Sequence, residues 1–182
     1  MPVPRGLLAD KPRGLTMFQA SVPPAVHALV ALGGVLAKGA AHAEAEGTDP
    51  ALLLQARLSP DMFPLVKQVQ IACDMVKNGC ARLAQLEPPA FPDTETSFAE
   101  LQDRIERTLG YLAGLSPAAI TGSEAREIVL TVRGKPLRFE GAHYLFGFVL
   151  PNLHFHTAVA YAILRTHGVA LDKRDYLGAL PE

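Results

Sequence analysis

Nearly the whole chain carries apolar residues spaced at three and four, and this spacing is interrupted once. That spacing is the signature of helices that bury one stripe. It marks helices at about 23–45, from Ser59 to before Pro88, and from Ser97 to about 114, and it returns over 141–167. Between the last two Ile128, Leu130 and Val132 alternate with Val129, Thr131 and Arg133, and after Gly134-Lys135 the alternation resumes at Leu137 and Phe139. Alternation about a glycine-containing turn predicts a β-hairpin. Two short strands do not make a domain and must pack on the helices. The chain of 182 residues has room for one ordinary domain. The expectation is therefore an all-α four-helix bundle with one small β-hairpin before the last helix.

Local signals set the expected boundaries. Residues 1–16, with three prolines and little periodicity, predict a flexible extension, and 17–178 the folded domain. The first helix is expected at 23–45, with Pro23 and Pro24 in its first turn and a stripe through Val26, Leu29, Val30, Gly33, Leu36, Ala37 and Ala40. The second opens at Ser59-Pro60-Asp61 and stops before Pro88. Its inner face is Leu65, Val69, Ala72, Cys73, Val76, Cys80 and Leu83, its outer face Lys67, Gln70, Asp74 and Lys77. Ser97 and Glu100 form a capping box for the third helix, which ends near Gly114. Pro151 predicts a kink, or two abutting helices, within 141–167. Val169, Leu171, Tyr176 and Leu177 anchor the tail.

Composition narrows the function classes. Hydrophobic residues make up 49% of the chain and charged residues 19%, so the chain is not of disordered type. A net charge of −1 with no basic stripe argues against nucleic acid as a partner. The uncharged run from Met17 to Ala37 is broken by Gln19, Ser21, two prolines and His27, so no membrane span is expected. Cys73 and Cys80, on one helix, lie roughly 10 Å apart along its axis, beyond the about 7 Å a disulfide allows. Free thiols and a cytoplasmic location are expected. The apolar surplus predicts a homodimer.

Six histidines offer the main chemistry. His154 and His156 point roughly 200° apart on a helix and cannot share a ligand. Asn152 and His156, four apart, do share a face, flanked by Val149, Ala160 and Ile163. Gln68 lies beside Leu65, Ala72 and Met75 on the second helix. Gln68, Asn152 and His156 form the candidate pocket. One reading is a hydrogen-bonded cluster that fixes helix register, the other a ligand or metal site. Lys38 and His42 at the end of the first helix, and Tyr161 on the last, are secondary candidates. Phosphate loops, HExxH, GxSxG and CxxC motifs do not occur in the sequence.

Three stretches carry a resemblance: PNLHFHTAVAYAILRTHGVALDKRDYLG from Pro151 to Gly178, ARLSPDMFPLVKQVQIACDMVK from Ala56 to Lys77, and LAKGAAHAEA from Leu36 to Ala45. In these the chain resembles a branch of uncharacterised bacterial single-domain proteins within the DinB/YfiT-like four-helix-bundle superfamily. The resemblance implies an up-down-down-up bundle and a homodimer. It also implies a divalent metal such as zinc or nickel held by three histidines, and thiol-dependent transferase or isomerase chemistry. Of those ligands only His156 matches. Asn152 stands one turn before it, where a second histidine is expected, and Gln68 stands near the position on the second helix. The first expectation is thus a bundle with a degenerate metal site, no cofactor, and a bound small molecule or a purely structural cluster. The alternative is a metal-dependent, thiol-using enzyme.

Overall fold

The computed structural model describes residues 14–132 and 134–179; Arg133 of the hairpin turn and most of the expected extension lie outside them. The chain is mostly helical, with one two-stranded antiparallel sheet. Helix α1 spans Met17–Ala45, α2 Pro50–Gln55, α3 Leu65–Leu83, α4 Phe98–Ala113 and α5 Pro117–Ile120. Strands β1 (Glu127–Val132) and β2 (Lys135–Glu140) follow. Then come α6 (Gly141–Tyr144), a π-helical turn (Leu145–Val149), α7 (Leu150–Thr166) and α8 (Lys173–Leu177).

Helix α1 begins at Met17 rather than at the prolines. The Thr16 side chain accepts from the Gln19 backbone and the Gln19 side chain returns to Thr16, a capping box that outranks proline as a start signal. Pro23 and Pro24 therefore lie inside the helix and withhold donors from the Gln19 and Ala20 carbonyls. The buried stripe runs through Val22, Ala25, Leu29, Leu32, Leu36 and Ala43, while Val30 is exposed. Leu29 and Leu36 of the expected stripe are buried and Val26 and Ala40 pack against the core, but Ala37 is exposed like Val30, because α1 is apolar on nearly every side. By length and composition it could cross a membrane, and half of its most apolar window is buried within the chain.

Helix α3 starts at Leu65, not at Ser59. Pro64 takes the N-cap position and holds Phe63 out of the helical region. Ser59 instead binds its neighbour Asp61, with Oγ 2.6 Å from Oδ1. The predicted inner face of α3 is buried throughout, as are Phe98, Leu101, Ile105, Thr108 and Leu112 of α4. The Ser97–Glu100 capping box is present. The hairpin pairs Ile128 with Phe139 and Leu130 with Leu137, turning through Gly134 at φ +76°. Ahead of Pro151 the helical run divides into α6 and α7, which abut through the π turn. One extra residue enters the preceding turn, and the Leu150 N–H reaches back to the Leu145 carbonyl.

Helix α1 packs on α4 and α7, and α3 packs on α4 and α7, with the most extensive contact between α3 and α7. Gly79 allows the close approach of α3 to the π turn, since a Cβ there would lie 2.7 Å from Val149 Cγ1. Short helices fill the ends: α2 inserts Leu53 and Leu54, α5 inserts Ile120, and Val169 and Leu171 hold the tail.

The predicted outer face of α3 is not outside. Lys77 and Gln70 are buried because the segment 86–97 folds across them. Phe91 in that segment stacks under the Lys77 ammonium, 4.2 Å from the ring centre, and under the Arg107 guanidinium. Gln70 donates to Glu95 at 2.8 Å. At the centre is Arg104 of α4, whose side chain is 0% exposed. It meets Asp74 of α3 at 3.1 Å, and Asp93 and Glu95 of the crossing segment at 3.0 and 2.8 Å. It also donates to the Pro92 carbonyl. Burial pushes the carboxyls of Asp93 and Glu95 up. Hydrogen bonds and charge from Lys67 and Arg104 at Asp93, and from Arg104 and Gln70 at Glu95, more than offset this, so both sit below the ordinary carboxylate value.

Because the folded values are depressed, this stabilisation is present above the unfolded carboxylate pKa and is lost as pH falls through the folded one. Arg104→Met leaves three carboxylates around a neutral side chain. It should lower urea-unfolding stability at pH 7 by about 3–5 kcal/mol. The loss relative to the parent should shrink toward pH 3 as the acids protonate. A deficit independent of pH would show that lost packing, not charge, is responsible.

Candidate functional site

Two of the three candidate pocket residues meet. His156 Nδ1 lies 2.7 Å from Gln68 Oε1, joining α7 to the first turn of α3. Gln68 Nε2 donates to the Phe63 carbonyl at 2.9 Å, which orients the amide oxygen toward the imidazole. The imidazole therefore donates from Nδ1 in the neutral form. His156 is 8% exposed and Gln68 is buried. Desolvation lowers the His156 pKa below its usual value, so the ring is neutral at pH 7. Asn152 shares the face but not the network: its Nδ2 donates to the Phe148 carbonyl at 2.7 Å, within its own helical run.

The secondary candidates serve the chain end. Lys38 pairs with Asp175 of α8 at 2.6 Å, and Tyr161 packs edge-on against Tyr176 with ring centres 6.1 Å apart. His42 lines a separate cleft with His167. Cys73 and Cys80 are free and buried, and desolvation pushes both thiols up to about 12, which makes them poor nucleophiles.

The donors present do not fit the three-histidine metal set that the resemblance implies. The Gln68 and Asn152 amides are spent on backbone carbonyls and on His156, and amides are weak transition-metal ligands. Among the described residues no group of three or more His, Cys, Asp or Glu could hold an ion.

A cavity that the sequence did not disclose lies between α1, α7 and α8. It holds about 270 Å³ and is walled by Leu32, Val35, Thr157 and Tyr176, with His27 and His154 among its lining. His154 thus faces α1 while His156 faces α3, as their helical spacing requires. His27 Nε2 meets the Leu177 carbonyl at 2.5 Å and so ties α8 down as one wall. The signal missed in the sequence was His27 itself, a polar break in an apolar helix.

The Gln68–His156 pair makes a direct prediction. His156→Ala should cost about 1–3 kcal/mol by stranding the Gln68 carbonyl oxygen. The folded pKa of His156 is lower than the unfolded one, so protonation favours the unfolded chain. Its stabilising share is full above the ordinary histidine pKa and declines as pH falls below it. Parent stability should drop between pH 7.5 and 5.5 more steeply than that of His156→Ala. Parallel pH profiles would place the imidazole outside the buried network.

The family model for a domain of unknown function, DUF1993, matches residues 17–177. A crystal structure of a DinB family member protein from Shewanella denitrificans is 41% identical in sequence, with a TM-score of 0.82. The likeness covers 91% of this chain and 93% of that one. Among curated proteins none matches this sequence. The fold, the Pro151–Gly178 run and these likenesses agree: the chain belongs to the DUF1993 family and is DinB-like.

Proposed function

We propose that this protein binds a small, largely apolar molecule in the cavity between α1, α7 and α8, on a four-helix bundle of DinB/YfiT type whose metal site is degenerate. The observation that carries the reading is the cavity itself: about 270 Å³ of nearly apolar wall, with the His154 imidazole available for orientation and His27 held at the Leu177 carbonyl. Apolar walls with a few placed polar groups are the usual make-up of a small-molecule site.

The order of helix contacts supports the up-down-down-up arrangement. Along α1 and α7 the contacts rise together, with His27 and His154 on one cavity and Gly39 against Leu164. Along α1 and α4 they run in opposite senses, with Gly33 against Gln102 and Gly39 against Phe98. Helices α3 and α7 are likewise opposed, through Gln68–His156 and Gly79–Val149. A homodimer belongs to the same reading. Phe63 and Phe155, each 54% exposed, supply apolar surface for it. Two free cysteines suit a reducing, cytoplasmic setting.

The test uses p-cresol, an aromatic ring with one hydrogen-bonding group. Titration followed by NMR should give saturable shifts of the His27 and His154 imidazole protons. Val35→Phe, which fills the cavity, should abolish them while the chain stays folded by circular dichroism. Shifts that never saturate, or that persist in the filled variant, would defeat the reading. Light scattering at micromolar concentration should give about twice the chain mass, and a monomer across that range would remove the dimer from it.

A further inference from the structure

The cleft beside the π turn carries polar chemistry that neither the fold nor the α1/α7/α8 cavity uses. It holds about 200 Å³ and lies where α3, the hairpin and the π turn meet. Asn78 and Arg82 line it from α3, Thr131 from β1, and Tyr144 and Phe148 from the last helical run, with Met75 as an apolar neighbour. Most other arginines with a described partner are spent. Arg104 faces three carboxylates, Arg126 donates to the Leu83 and Ala119 carbonyls, Arg57 to the Met62 carbonyl, and Arg138 pairs with Glu127. Arg82, half-buried, makes no ion pair among the described residues. Its one hydrogen bond there runs from Nη1 to the Tyr144 hydroxyl, at 3.2 Å.

That bond leaves donors in place. The guanidinium has five N–H groups, and the Tyr144 oxygen, in accepting from it, keeps its own proton to give. Desolvation raises the Tyr144 pKa, so the phenol stays protonated. The Asn78 amide and Thr131 hydroxyl make no hydrogen bond among the described residues. The π turn sets Tyr144 and Phe148 on one side of the cleft with stacked rings, 5.8 Å between centres and 18° between planes. The site is thus a cation and several neutral donors beside an aromatic wall.

We propose that this cleft binds a small aromatic carboxylate. The planar guanidinium fork matches a carboxylate edge. Phe148, half-buried and stacked on the buried Tyr144, accepts a flat ring by offset or edge contact. Among the described residues one cation, Arg82, lines the cleft, which suits one negative charge better than the two of a phosphate monoester. The volume lies below that of drug-sized pockets, so the ligand is small. Glu87 and Glu127 line an adjoining cleft that Arg82 also borders, and Glu127 is already paired with Arg138.

The test is titration of the full chain with benzoate, with benzyl alcohol as its uncharged counterpart and phenyl phosphate as its more highly charged one. Binding is read by calorimetry and by NMR shifts of the Tyr144 and Phe148 rings. Benzoate should bind saturably and more tightly than either comparison ligand. Arg82→Gln should weaken benzoate by about tenfold or more while leaving benzyl alcohol unchanged, the loss expected when a charge-assisted hydrogen bond is removed. Tyr144→Phe should weaken it less. Val35→Phe, which fills the other cavity, should leave benzoate binding intact, so failure here is separable from failure there. If Arg82→Gln perturbs the fold, Thr131→Val at the exposed rim provides the second readout and should also weaken benzoate. No saturable benzoate binding, equal binding of benzyl alcohol, or loss of benzoate binding in Val35→Phe would each overturn the proposal.

Discussion

A guanidinium without water needs its charge answered from every side, and Arg104 is answered by three carboxylates from two different segments. Asp74 belongs to α3, while Asp93 and Glu95 belong to the stretch that leads into α4. For all three to converge, α3 and α4 must lie side by side with the connecting segment strapped over their outer surface. Helices joined by a short turn run antiparallel, but here Asp74 meets Arg104 and, one turn on, Lys77 and Arg107 share Phe91, so the pair runs parallel. The strap is the length of chain that a parallel return demands, and the ion cluster is what holds it. Removing one partner of such a cluster strands the others, which is why breaking it is far more damaging than never having built it.

With α3 and α4 placed, the remaining contacts follow. Helix α7 lies along α3, and α1 closes the set against α4 and α7. The seam between α3 and α7 is tuned at both ends. Gln68 and His156 fix one end by a directional hydrogen bond, and Gly79 admits Val149 at the other by offering no side chain. A one-residue slip would take the imidazole away from the amide and drive Val149 into a Cβ. The pair that looked most like a remnant metal site therefore also serves as a register pin.

Helix α3, the hairpin and the inward face of His156 were legible because each rests on spacing within one element: three and four for α3, two for β1 and β2, four from Asn152 to His156. Gln68 was legible as its partner only because it is a polar residue on the buried face of α3. What was not legible depends on surfaces brought together from far apart. Lys77 and Gln70 read as solvent-facing because nothing local announces that Phe91 and Glu95 will cover them. Arg104 drew no notice in the sequence because its acids are 9 to 30 residues away along the chain. Pro23 and Pro24 read as a helix start because proline favours first turns, yet Thr16 and Gln19 had already capped the helix upstream. The cavity of α1, α7 and α8 escaped because three separate segments contribute its wall. Asn152 sat on the expected face, but its amide found a nearer acceptor on its own helix.

One wall of that cavity is the last helix among the described residues. Helix α8 is five residues long and is held by the Lys38–Asp175 pair, the His27 contact with the Leu177 carbonyl, and the edge of Tyr161. A segment this short has little stability of its own, and its release disturbs none of the contacts among α1, α3, α4 and α7. Release of α8 alone would open that wall, at far less cost than separating the long helices. For the ligand proposed above, residence would then depend on three side-chain contacts of α8, without a change in the stability of the domain.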